Sequence, residues 1–326
     1  MNPALPPALK ARSTALLEGV SRKELAARAA AISDAYRSGG GSAATVANKL
    51  SVLAYIFSRL PATYAVAVAV FAMVRESAPD FAPQSFLDVG AGPGTASWAA
   101  AETWPALAHV TMTDSNATFR AVAKSLAAGS DHAALTSATC IAGDVQDIAL
   151  PHADLVTASF VLAEISQTNL SRVIAQLWAA THDVLALIEP GTPAGFARIR
   201  AARALLIEQG ASVLAPCTHA NACPIVAPDW CHFSQRLPRS RDHLKVKGAT
   251  VPFEDERYSY VAATRQVLPP DNRARIIAPP SESKAGITLP LCDQRGLHQA
   301  FVSRRERDAF ALLRKAKWGD SILSEE

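Results

Sequence analysis

Apolar residues change their spacing twice along this chain. From Pro7 to Val74, positions such as Leu16, Leu17, Val20 and Leu25, then Leu50, Leu53, Tyr55, Ile56 and Leu60, recur at the helical period. A Ser-Gly-Gly-Gly-Ser break at 38–42 divides this preface, and Ala78-Pro79-Asp80 closes it with turn chemistry. After Pro83 the spacing shortens. Apolar runs at 85–90, 109–114, 139–144, 153–160 and 183–191 alternate with helical stretches at 94–103, 116–128 and 169–180. Strand-sized apolar runs separated by helices predict βαβ units around a buried, mostly parallel sheet, an α/β fold. From Ala215 to about Gly248 no period holds, and the text reads as an irregular insert. Strand-like runs at 257–265, 273–280, 286–292 and 298–304 then predict antiparallel strands closing the sheet, followed by a basic helix. The chain divides accordingly into 1–80, 81–214, 215–248 and 249–326.

Composition changes this picture little. With 49% hydrophobic and 19% charged residues, the chain is neither disordered nor a pure coiled coil. The longest apolar run, Ala62 to Val74, is 13 residues, short of the roughly 20 a membrane span needs. The N-terminus lacks an apolar signal core, and Glu18 and Glu24 follow it, so a cytoplasmic, membrane-free and monomeric protein is expected. The net charge of +3 is unevenly placed: residues 1–180 hold 12 Lys+Arg against 13 Asp+Glu, and residues 181–326 hold 20 against 16.

The sharpest local signal is Phe86-Leu-Asp-Val-Gly-Ala-Gly-Pro-Gly-Thr95, a strand running through Gly90, Gly92 and Gly94 into a helix. Such glycines let backbone amides at a helix N-terminus approach a ligand closely. A dinucleotide fingerprint would place a third glycine at 95, where Thr95 stands, so a nicotinamide or flavin is disfavoured. Asp88 precedes the loop, Asp114 ends the second strand, where a carboxylate can take both ribose hydroxyls, and Asp144 ends the third, on the adenine side. This set resembles the class I S-adenosylmethionine-dependent methyltransferases over about 85–190. Glu189 closes the fifth strand as a further polar contact. No Asn/Asp-Pro-Pro-aromatic motif follows the fourth strand, which reads Thr157-Ala-Ser-Phe-Val-Leu-Ala-Glu164, so the sequence names no catalytic base. Cys140 reads as a small core residue rather than a nucleophile.

Cys217, Cys223 and Cys231 are spaced C-x5-C-x7-C, and Cys292 lies 61 residues further on. Thiols this close, in a polar, Pro-rich stretch, point to metal binding. Zinc and an iron–sulfur cubane both accept four cysteines, and the wide, irregular spacing favours the cubane. His219, His232 and His243 are candidate substitutes.

The loop LDVGAGPGT, the turn IEPGTPAGF with Arg198 and Arg203 downstream, CTHANACP, DWCHFSQRLPRS, FEDERYSYVAATR, LPLC and the terminal RKAKWGD together resemble one family, from about 85 to 320. It is that of the mitochondrial small-ribosomal-subunit methyltransferase-like assembly factors and their bacterial relatives. The resemblance implies a methyltransferase fold, a 4Fe-4S cluster on Cys217, Cys223, Cys231 and Cys292, and association with small-subunit ribosomal RNA.

Two basic stretches suit an RNA partner rather than DNA. Arg236, Arg239, Arg241, Lys245 and Lys247 follow the cysteines; Arg304, Arg305, Arg307, Arg314, Lys315 and Lys317 follow the last strands, with Trp230, Phe233 and Trp318 nearby for stacking. Two functions from different classes meet these features: an RNA methyltransferase, and a non-catalytic ribosome-assembly factor that retains the cofactor pocket. An electron-transferring oxidoreductase is disfavoured, since no second cofactor motif is present.

Overall fold

The computed structural model describes residues 2–37, 46, 48–239, 244, 250–269 and 271–323. The Ser-Gly-Gly-Gly-Ser break lies outside them. The preface forms helices α1 (Pro7–Ala15), α2 (Arg22–Arg37), α3 (Lys49–Ser58) and α4 (Leu60–Ser77). Asn48 caps α3 by accepting from the Ser51 amide at 3.0 Å, which satisfies one of the orphan donors of the first turn. Helix α4 is 18 residues long and apolar enough to cross a membrane by length and composition. Its Leu60, Tyr64, Phe71 and Val74 are instead buried against the rest of the protein.

There follow β1 (Ser85–Val89), α5 (Thr95–Thr103), β2 (His109–Asp114), α6 (Ala117–Ala127), the short α7 (Ala133–Thr136), β3 (Thr139–Ala142) and β4 (Ala153–Ser159). A 3₁₀ turn at Leu162–Glu164 leads to α8 (Leu170–Ala179), β5 (Thr181–Pro190), α9 (Pro193–Glu208), β6 (Ser212–Ala215), β7 (Phe233–Pro238) and β8 (Phe253–Thr264). These strands make an eight-stranded sheet in the order β3-β2-β1-β4-β5-β8-β6, with β7 also on β8. Strands β1 to β5 pair in parallel, and β8 runs antiparallel to β5, β6 and β7.

The sheet is apolar on both faces, which is why its strands read as continuous runs rather than alternations. In β5, Val184, Ala186 and Ile188 join the core on the side of α3 to α6, while Leu185 and Leu187 join the core under α8 and α9. Strand β8 repeats the alternation with Tyr258, Tyr260 and Ala262 against Val261 and Ala263.

The strands after β8 depart from the expected closure. β9 (Arg273–Ile276), β10 (Ser281–Glu282), β11 (Gly286–Asp293), β12 (Gly296–Ser303) and β13 (Ser321–Leu323) form a second, five-stranded antiparallel sheet. β8 is already paired with β5 on one side and with β6 and β7 along its length, so the later strands find partners among themselves. Their own small core, Ala274, Ile276, Ile287, Leu289 and Leu291, is covered by α10 (Arg307–Leu313) through Phe310 and Leu313. This helix is shorter than the basic run that suggested it.

Candidate functional site

A cavity of about 280 Å³ opens at the carboxyl ends of β1, β2 and β4, the place where open parallel sheets bind ligands. Gly90, Gly92 and Gly94 all have positive φ, at 65°, 54° and 81°. Their roles differ. A Cβ on Gly90 would collide with the Val161 side chain, and one on Gly94 would press on Met112, so those two glycines permit packing. Around Gly92 nothing lies within 4 Å of the added carbon, so this lining residue of the cavity faces open space. The Gly92 amide donates to Asp114 Oδ2 at 2.8 Å, and the Asn116 amide donates to Oδ1 at 2.7 Å. Burial raises the Asp114 pKa, and these two donors oppose the rise. Each oxygen keeps a lone pair, so the carboxylate is oriented for a diol such as that of ribose. Asp144 is exposed on the same wall, its Oδ1 accepting from the Gln146 amide at 2.8 Å.

Much of the remaining wall comes from residues that sequence reading did not single out. Val46 and Tyr55 reach it from the preface; Asn116 Nδ2 donates to the Val46 carbonyl at 2.9 Å, and Tyr55 meets Phe119 edge-on at 5.2 Å. Phe160, at the end of β4, also lines it. Its φ of 62° makes it the one non-glycine residue with positive φ among the described residues, a conformation that costs of order 1–3 kcal/mol.

Asp88, Gly94 and Glu189, expected as cofactor contacts, stand behind this wall. Asp88 is 1% exposed and accepts from the Ser97 amide at 3.0 Å and its hydroxyl at 2.7 Å, fastening the first turn of α5 to β1. Burial pushes its carboxyl up to about 7, against the pull of the Ser97 bonds. Glu189 is fully buried and pairs with Arg198 Nε of α9 at 2.6 Å, while its other oxygen accepts from the Leu162 amide at 3.0 Å. It positions the 3₁₀ turn beside the cavity, and burial likewise lifts it to about 7 despite Arg198.

Cys217, Cys223, Cys231 and Cys292 line a second, largely apolar cavity with Arg203 and Arg275. Cys292 comes from the second sheet, opposite Arg275 of β9 in the strand register, and the other three from the insert. Arg203 donates to the His219 carbonyl at 2.6 Å, and Arg275 to the Pro216 and Gly319 carbonyls, each at 2.7 Å. Burial, reinforced by the neighbouring thiols, raises Cys231 well above the usual thiol range and Cys292 to about 12. Among the described residues no group of three or more His, Cys, Asp or Glu could hold a metal ion as it stands, so convergence on one cavity is what the fold establishes. His219 Nε2 lies 3.6 Å from Cys292 Sγ, while His232 stacks on Trp230; His243 lies outside the described residues. Cys140 stands apart on β3, half-buried.

The two basic stretches behave differently. Arg236 forks onto Asp255 at 2.7 and 2.8 Å and lies 3.9 Å over the Phe253 ring, and Arg239 pairs with Glu254 at 3.4 Å. Arg241, Lys245 and Lys247 lie outside the described residues. Arg304 pairs with Glu282. Arg305, Arg307, Arg314, Lys315 and Lys317 are exposed and make no ion pair among the described residues. The aromatics expected to stack on RNA are engaged internally: His232 lies against both Trp230 and Trp318, Phe233 is 4% exposed, and Trp230 Nε1 donates to the Gly191 carbonyl.

The strand order and the glycine loop define a protein with the Rossmann-like fold of class I methyltransferases. A sequence model of the family "Mitochondrial small ribosomal subunit Rsm22" matches residues 49–323, and the chain belongs to that family. It is 28% identical over 296 residues to the human ribosome assembly protein METTL17, mitochondrial, covering 83% of this chain and 62% of that protein. It is 27% identical over 323 residues to the mitochondrial Rsm22-cox11 tandem protein 2 of Schizosaccharomyces pombe, covering 82% and 42%. The chain therefore spans about two-fifths to three-fifths of the length of these relatives. Among solved structures, magnesium protoporphyrin IX methyltransferase from Synechocystis is 16% identical, with a TM-score of 0.42 over 73% of this chain and 97% of that one. The cytoplasmic setting expected from the N-terminus is corrected here, because these family relatives are mitochondrial proteins; an N-terminal composition without leader features is a weaker guide than a match along most of the chain.

Proposed function

We propose that this chain is an S-adenosylmethionine-binding, methyltransferase-like protein that acts on small-subunit ribosomal RNA or on the assembling small subunit. The single observation carrying the cofactor assignment is the cradle at Gly92: an open Cβ direction beside a carboxylate held by two backbone amides. Gly90 and Gly92 bring the backbone to the ligand, Asp114 takes the ribose, and Asp144 lies on the adenine side. Asp88, Gly94 and Glu189 hold that frame from behind. The ribosomal partner follows the relatives, one of which is named a ribosome assembly protein.

The cysteine cavity is proposed to take a 4Fe-4S cluster on Cys217, Cys223, Cys231 and Cys292. Support comes from four thiols on one apolar cavity beside two buried guanidinium groups, whose positive charge suits a tetrathiolate cluster. A mononuclear zinc on the same four thiols is the alternative occupant, for which the sulfurs would close into a tetrahedron with Zn–S near 2.3 Å. Bound there, the cluster would order the insert between β6 and β8.

One observation favours the non-catalytic reading. Among the described residues the cavity wall offers only Asp114, Asp144 and Glu164 as acidic groups, and with the first two assigned to the cofactor Glu164 is the single carboxylate left to act as a base. Incubating purified small subunits with methyl-labelled S-adenosylmethionine decides between them. Labelled ribosomal RNA establishes the enzyme; tight subunit binding without label establishes the assembly factor.

A further inference from the structure

Strands β11 and β12 form a hairpin with one face turned inward. Ile287, Leu289, Leu291, Ala300 and Val302 point to the small core under α10. The opposite face holds Thr288 across from Phe301 and Pro290 across from Gln299. Phe301 is 55% exposed there, unusual for an aromatic ring on a strand. Its ring lies across Gly286, where an added Cβ would come within 2.8 Å of the ring Cζ, so the glycine gives it a floor and leaves its other side open. β12 pairs with β11 alone, so its outer edge is unpaired among the described strands.

Charge says what covers this face. Residues 271–323 hold ten Lys+Arg against six Asp+Glu, so the +4 of this segment exceeds the +3 of the whole chain. Three of its six acids are spent on pairs, Asp271 with Arg273, Glu282 with Arg304 and Asp293 with Arg295. The Arg304 amide donates to the Ala285 carbonyl at 2.9 Å, which brings Lys284 and Arg305 to the end of the hairpin where Phe301 lies. An open ring flanked by cations that make no ion pair among the described residues is the chemistry of a single-stranded nucleic acid site: base on ring, phosphates on ammonium and guanidinium.

We propose that the outward face of β11 and β12 is a stacking platform for single-stranded RNA, with Phe301 carrying a base and Lys284 and Arg305 the adjoining phosphates. This rests on the RNA reading above. The test measures fluorescence anisotropy of labelled small-subunit RNA and of a 12-nucleotide oligouridylate, using the anaerobically purified full chain. Phe301→Ala is expected to weaken the oligouridylate about 10-fold and Phe301→Trp to restore it, with thermal melting unchanged in both. An abasic oligomer of the same length is expected to show no difference between wild type and Phe301→Ala. The Lys284→Ala, Arg305→Ala pair is expected to lower the salt slope by about 1.4. Wild type that ignores both RNAs removes the RNA reading itself. Wild type that binds, with Phe301→Ala indifferent, removes the platform alone. A concentration-dependent dimer that Phe301→Ala dissolves at unchanged RNA affinity would show that a second copy covers this face instead.

Discussion

The two cavities of this protein are built in opposite ways. The glycine-loop pocket is anchored on backbone at the ends of parallel strands, with side chains such as Tyr55 and Phe160 completing the wall, and the atoms that hold its carboxylate lie within 25 residues, from Gly92 to Asn116. The cysteine cavity is made of side chains from distant segments: Arg203 on α9, three thiols in the insert, and Cys292 and Arg275 on the second sheet. A backbone-built pocket stands whenever its sheet stands. A side-chain-built cavity of buried thiols and guanidinium groups depends on what fills it.

The largest effect should therefore come from the cysteines. In zinc peptides structural metal binding contributes about 10–16 kcal/mol, on the scale of a whole domain's stability. With the proposed cluster bound, anaerobically purified wild type should be brown and contain iron, and Cys231→Ser is expected to abolish both. Hydrogen exchange should rise sharply over residues 215–239, with the β1 to β5 sheet still protected. A colourless wild type without iron, whose insert is as protected as its sheet, would break the contrast between the cavities.

That asymmetry also explains what was legible in the sequence. LDVGAGPGT announced its strand, loop and helix because every one of those features is local. Asp114 lines the cavity because strand length fixes where its carboxylate emerges, at the end of β2. Tyr55 and Val46 were invisible, since helical period tells which side of α3 is buried but not what it is buried against. The spacing of the cysteines suggested a common site, yet the second sheet that delivers Cys292 was read as a continuation of the first. Trp230, Phe233 and Trp318 were misread for the same reason: composition places aromatics near cations, and only the fold shows that Phe233 meets Trp318 and that His232 touches both tryptophans.

Behind the glycine pocket the next effect is electrostatic. Asp88 titrates at about 7 in the fold and near 3.9 in the unfolded chain. Between those values the native state holds a proton that the unfolded state has lost, so stability falls as the pH rises from about 4 to about 7. The upper bound is about 4 kcal/mol. Asp88→Asn keeps an acceptor for Ser97 and removes the titration. Its chemical-denaturation stability is expected to exceed that of wild type at pH 8 and to lose about half of the decline between pH 5 and pH 8, the rest belonging to Glu189, which burial also lifts to about 7. A parallel decline in both proteins would mean that Asp88 ionises normally.

On the wall itself, Gly90 and Gly92 separate packing from binding. Both carry positive φ, so alanine costs roughly 1–2 kcal/mol of backbone strain at either position. Gly90→Ala must also displace Val161 and is expected to lower stability further. Gly92→Ala adds no clash within the protein, but its methyl enters the cavity. Calorimetry with S-adenosylmethionine should show affinity reduced at least about 10-fold, equivalent to roughly 1.4 kcal/mol, with melting lowered only by the strain. Unchanged affinity would take the cofactor out of this cavity.

The smallest effect lies in the insert's own basic strand. Arg236 was expected to face RNA, but its guanidinium is held by Asp255 and laid over Phe253 on the exposed side of β7 and β8. An exposed pair of this kind contributes little to stability, and its positive charge is already balanced. Arg236→Ala should therefore leave RNA affinity within about 2-fold of wild type, because a neutralised pair releases few counterions. Asp255→Ala sharpens the point from the other side. It strips the balancing carboxylate and leaves the cation in place, so RNA binding is expected to strengthen modestly and its salt slope to steepen by up to about 1. If Arg236→Ala instead weakens RNA binding as much as Phe301→Ala does, the fork opens on contact, and the insert belongs to the RNA surface after all.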